Sequence, residues 1–163
     1  MMNADLRRLL VAVDDSAAAL RAVDIAVRLA ATTGAEVRFV HVTGDGALRR
    51  ALSPSGEGEL PDRVGRGVEA LLDHVAGRAR QAGVACSVGS LFGEPEAEVV
   101  TEARAWGADL VVIGRSQSGA VGQPYVGHVT RHILEFSEAP VLVVPRPRAA
   151  VSGRSRLGAV SPG

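Results

Sequence analysis

The residues best suited to chemistry gather at two points of the chain. Asp14, Asp15 and Ser16 follow an apolar run at residues 9–13, and their side-chain oxygens can accept backbone N–H bonds at the start of a helix. Further along, Gly114 opens a polar, glycine-bearing stretch that includes Gln117 and closes on Gly127, His128, Val129 and Thr130. A glycine there lets the backbone turn sharply or come close to something, and a helix beginning at Gly127 offers free N–H groups and a dipole that favour an anion. Such a pattern suits a phosphate, or a plain strand-to-helix loop. Ser116, Ser118 and Thr130 supply hydroxyls near that loop, and Gly119 and Gly122 can shift its turn.

Other reactive side chains point to blander roles. His128 and His132 stand one helical turn apart, but no third ligand follows, so no metal-only site is expected. Cys86 is the single cysteine, which excludes an intrachain disulfide and a multi-cysteine metal cluster. Inside a strand it reads as a small buried hydrophobe. All 18 basic residues are Arg and none is Lys, so a P-loop lysine, a Schiff base and a lysine general base are excluded.

Composition narrows the class of protein. The chain has 163 residues, 18 basic and 18 acidic, with 47% hydrophobic content, which fits one compact soluble domain. A net charge of zero gives no broad footprint for nucleic acid, whose phosphates call for many cations. The longest apolar runs, at 9–13, 110–113 and 141–144, fall far short of the roughly 18 residues a membrane-spanning helix needs. Asp5, Arg7 and Arg8 interrupt the first ten residues, which lack the apolar core of a secretory signal. A cytoplasmic location is expected.

The elements that must position these residues alternate. Strands are expected at 9–13, 36–42, 85–91, 110–113 and 141–144. Between them, apolar residues recur at helical spacing: Leu20, Val23, Val27 and Ala30; then Val64 through Ala79, with Gly65 and Gly67 fraying the start; then Val99, Ala103 and Trp106; then Val129, Ile133 and Phe136. Gly34, Gly83 and Gly107 end three of these helices, and Pro95 suits a first turn. The run at 110–113 is apolar at every position, as a strand covered on both faces must be. Strict alternation predicts a doubly wound, five-stranded parallel α/β sheet. Residues 43–62 form a surface excursion, residues 1–147 one domain, and residues 148–163 a flexible, Arg-bearing tail. In such a sheet the crevice lies beyond the carboxyl ends of the strands where their order reverses, which directs attention to Asp14 and Gly114.

The segments LLVAVDDS (9–16), FVHV (39–42), FGEP (92–95), GADLVVIGR (107–115), GHVTRHIL (127–134) and APVLVVP (139–145) together resemble the universal stress protein family, in order and over about residues 8–147. The resemblance implies a Rossmann-like sheet of the adenine nucleotide alpha-hydrolase type with strand order 3-2-1-4-5. It also implies a homodimer through Val141, Leu142, Val143 and Val144, a margin whose unpaired apolar strand gives the idea independent sense. Nucleotide-binding members carry a loop of the form G-x-x-G-x9-G-[S/T]. Gly114 and Gly127 match its first and last glycines, whereas Gln117 stands at the second glycine and His128 at the hydroxyl residue. Asp14 matches the acidic residue near the ribose, and Val42 the position whose backbone meets adenine. Asp14 or Asp15 can equally cap the first helix; Asp15 is the better candidate for that task.

Three functions compete. The first is a regulatory module with a weakened ATP or AMP site, its phosphate end formed by Gly114, Gln117, Gly127, His128, Val129 and Thr130. The second is a dimeric stress protein that binds no nucleotide and works through protein contacts. The third, an adenylating ligase of similar fold, lacks its phosphate loop at residues 13–16 and any lysine. No nucleophile and base stand together for catalysis, so at most weak ATP hydrolysis is expected.

Overall fold

The computed structural model describes residues 5–45, 60–115 and 127–148, with the side chains of residues 60–64 left aside. In chain order the elements are β1 (Arg8–Ala12), α1 (Ala17–Thr33), β2 (Glu36–Thr43), α2 (Leu60–Gln81), β3 (Cys86–Phe92), α3 (Pro95–Trp106), β4 (Leu110–Gly114), α4 (His128–Phe136) and β5 (Val141–Val144). The five strands are parallel and lie in the order β3-β2-β1-β4-β5. The expected sheet and strand order are therefore present, and β1 neighbours β4 with Leu9 opposite Leu110 and Ala12 opposite Ile113.

Burial on both faces explains the unbroken apolar runs. On one face Leu9, Val11, Val37 and Phe39 pack with Val23 and Ala26 of α1 and with Leu72, Val75 and Ala79 of α2. On the other, Leu10, Val40, Val111 and Ile113 meet Val99 and Ala103 of α3 and Ile133 of α4. Gly34 and Gly107 cap α1 and α3 in the left-handed conformation, at φ 76° and 70°, as their positions in the sequence implied. Asp109, whose Oδ2 accepts the backbone N–H groups of Arg7 and Arg8 at 2.9 Å each, ties the start of β1 to β4.

Four details differ from expectation. α2 begins at Leu60 and runs through Gly65 and Gly67 rather than fraying there. Pro61 is accommodated because first-turn N–H groups have no helical acceptor to lose. Trp106, expected on the buried stripe of its helix with Val99 and Ala103, is only partly buried, its ring covered by the Arg8 guanidinium at 5.8 Å. Phe136, which periodicity sets on one side of its helix with Val129 and Ile133, is 51% exposed. α4 ends at that residue, and the ring rests against His132 with centroids 4.5 Å apart. Cys86 is likewise part-buried, its thiol directed to the Ala76 carbonyl at 3.7 Å. Among the described residues no helix is long and apolar enough to cross a membrane, and no group of three or more His, Cys, Asp or Glu can hold a metal ion.

Candidate functional site

β1 leads through crossovers to β2 and β3 on one side, whereas β4 and β5 extend the sheet on the other, so strand order reverses between β1 and β4. A cleft of about 210 Å³ opens at the carboxyl ends of these strands. Asp14, Val42, Gly114 and Val129 line it together. Its floor is apolar, from Val40, Val99, Ile113 and Ile133, which a flat ring can cover without stranding a polar group.

The turn out of β1 is held by its own side chains. Ser16 is the N-cap of α1: its Oγ accepts the N–H of Ala19 at 3.1 Å from an extended backbone. The expectation that Asp14 or Asp15 caps this helix is corrected, because Ser16 is the residue at the N-cap position and its hydroxyl holds the Ala19 N–H. Asp14 instead accepts the N–H of Ser16 through Oδ1 at 2.8 Å, which fixes the carboxylate at the cleft edge.

Gly114 has a definite steric reason. A Cβ there would lie 2.5 Å from the backbone N of Ala19 and 2.6 Å from the carbonyl carbon of Ala18. The end of β4 thus presses directly on the first turn of α1. This close approach is to the protein's own helix, and it draws the β1 and β4 exits to one cleft.

β2 extends past its neighbour. The last β1–β2 pair is Ala12 with Val40, and the Val13 N–H reaches the Val40 carbonyl at 2.8 Å. Along a strand, the N–H and C=O of alternate residues point to the same side. Val42 therefore directs both groups toward the β1 side, beyond the last residue of β1 to which β2 pairs and over the cleft. Thr43 faces the other way, where its carbonyl accepts the Gly93 N–H at 3.1 Å.

At the far wall, Gly127 precedes α4 in an extended conformation, φ −62°, so no left-handed geometry requires glycine there. His128 is the first residue of α4, and its Nε2 lies 3.0 Å from Oε1 of Glu96, in the first turn of α3. Thr130 is buried at 2% exposure and does not line the cleft. Gln117, with Ser116, Ser118, Gly119 and Gly122, lies outside the described residues.

Two polar residues escaped sequence reading, one lining the cleft and one next in sequence to a residue that does. His41 interrupts an apolar strand, and its Nδ1 is 2.8 Å from the Val13 carbonyl. A carbonyl only accepts, so Nδ1 carries the proton and Nε2 is left as an acceptor in the neutral ring. Glu96 is the other. Its signal was its place after Pro95, at a helix start that proved to meet a second one.

Doubly wound α/β proteins with a crevice at the switch point form a broad class. Within it, this chain belongs to the universal stress protein family, whose model matches residues 5–145. It is similar to the universal stress protein YxiE of Bacillus subtilis, 29% identical over 145 residues, covering 84% of this chain and 97% of that protein. The structure is similar in fold to that of the hypothetical protein MJ0577, with a TM-score of 0.75 at 21% identity, covering 89% and 99% of the two chains. A universal stress protein solved in complex with cAMP aligns with a TM-score of 0.66 at 25% identity, covering 86% of this chain and 98% of that one.

Proposed function

We propose that the chain is a regulatory module whose cleft takes an adenine nucleotide, AMP or ATP, with a weakened hold on the phosphates. The observation that carries this reading is the backbone edge of Val42, unpaired among the described residues, over an apolar floor. Its C=O accepts from the adenine amino group and its N–H donates to the adjacent ring nitrogen. Asp14, at the same cleft, accepts from ribose hydroxyls. The phosphates then run toward the N–H groups of Gly127, His128, Val129 and Thr130 at the start of α4. The cAMP complex of a family relative supports an adenine ligand.

Weakening follows from two positions. His128 replaces a hydroxyl that would meet phosphate, and Gln117 replaces a glycine that would admit its close approach. In this reading two copies join through Val141, Leu142, Val143 and Val144, because β5 is a sheet edge with Leu142 36% exposed. The setting is cytoplasmic, where these nucleotides are abundant and the thiol of Cys86 stays reduced.

Thermal unfolding tests the reading. AMP at roughly ten times its Kd stabilises by about 1.4 kcal/mol, a Tm rise of about 2–5 °C. GMP, which presents an oxygen where adenine has its amino group, gives a smaller rise. Asp14→Ala removes most of the AMP effect. If millimolar AMP and ATP leave Tm unchanged, the cleft is not a nucleotide site.

A further inference from the structure

We propose that Glu96 sets the charge class of the ligand, so that the cleft selects an adenine monophosphate or cyclic monophosphate over ATP. The inference rests on the adenine-nucleotide reading and specifies which nucleotides it admits.

The helix end available to phosphate already has a carboxylate beside it. Glu96 Oε1 lies 3.0 Å from His128 Nε2, and since a carboxylate only accepts, the imidazole N–H donates. The two partners are unequal. The His128 side chain is 77% exposed, whereas that of Glu96 is 13% exposed. The carboxylate is therefore the fixed member, set in the wall of the molecule, and the imidazole is the side chain that reaches in from solvent.

Neither Glu96 nor His128 lines the cleft itself, but each is next in sequence to a residue that does. Pro95, beside Glu96, lines the cleft, and so does Val129, beside His128. Two helix N-termini meet here, and an anion is attracted to both. Glu96 supplies one from the protein itself. Glu94 and Glu98 add negative charge to the same turn of α3, and no Arg lines the cleft among the described residues. ATP brings more negative charge to this corner than AMP, and a cyclic monophosphate brings less than either. Repulsion from a fixed, poorly solvated carboxylate grows with that charge and is only partly screened by salt.

Calorimetric titration of the full chain with cAMP, AMP and ATP, in magnesium-free buffer with EDTA, tests the proposal. The wild type binds AMP and cAMP more tightly than ATP. Glu96→Gln keeps an acceptor for His128 and shifts the AMP-to-ATP affinity ratio toward ATP by about tenfold. His128→Ala, which removes an exposed partner without opening the core, shifts the ratio the other way. Glu138→Gln deletes the same charge at the opposite end of the sheet, beside Arg104, and leaves the ratio within about twofold. Wild-type binding of ATP at least as tight as AMP, or equal shifts in the Glu96 and Glu138 variants, overturns this proposal alone. No binding of any of the three ligands overturns it together with the nucleotide reading.

Discussion

Gly114 and Gly67 are the same residue type under opposite constraints. At Gly114 a methyl group would meet the Ala18 and Ala19 backbone, which cannot rotate away, whereas at Gly67 nothing among the described residues, apart from the helix's own adjoining backbone, lies within 4 Å of the added carbon. Gly114→Ala should therefore destabilise by about 1–3 kcal/mol, as overpacked sites do. Gly67→Ala, in an exposed helix position, should stabilise by up to about 1 kcal/mol. Urea denaturation of both variants checks the pair. Equal effects would mean that β4 and the first turn of α1 are not in the contact described. Other residues teach a similar lesson about ambiguity. Three neighbouring oxygen-bearing side chains, Asp14, Asp15 and Ser16, all suit a cap by type, and only Ser16 has the spacing and backbone to reach Ala19. Which of three equivalent candidates wins depends on the path of the turn, and residue type does not encode that path.

At the scale of elements, legibility followed the range of the deciding interactions. The strands at β1 and β4 could be read because double burial demands continuous apolar residues, and helix ends could be read because a left-handed cap favours Gly34 and Gly107. Strand boundaries moved by a residue at most, whereas the start of α2 moved from Val64 to Leu60, into the segment expected as a surface excursion. Phe136 is exposed and Trp106 only partly buried: periodicity gives the direction of a side chain but not how much stands opposite. For Phe136 the helix ends, and for Trp106 an Arg8 guanidinium from the distant strand covers the ring. Asp109 and Glu96 were invisible for the same reason. Their partners lie 101 or 102 residues away for Asp109 and 32 for Glu96, and each is a polar residue at an element end until the sheet brings the partner near. Of the residues that line the cleft together, Asp14, Gly114 and Val129 were legible through their place after strands or at a helix start, and Val42 only through the family resemblance. The place of His41 in the cleft and the contact of Glu96 with His128 required the fold.

The described residues place one apolar layer on each side of the sheet and leave two margins to which the proposed function assigns a role. One is the β5 edge. Leu142 is 36% exposed, so Leu142→Asp should leave the monomer folded while removing self-association. Light scattering after size exclusion should find a dimer for the wild type and a monomer for the variant; a monomeric wild type would remove β5 from the account. The other margin is the cleft where strand order reverses, and the account turns on its being the place where adenine nucleotide binds. Two-dimensional NMR of the labelled chain titrated with AMP reads that location residue by residue. The amide signals of Val42, Asp14, Gly114 and Val129 should move together and saturate on one binding curve. Shifts confined to other surfaces, or a spectrum unmoved by saturating AMP, would contradict the central claim.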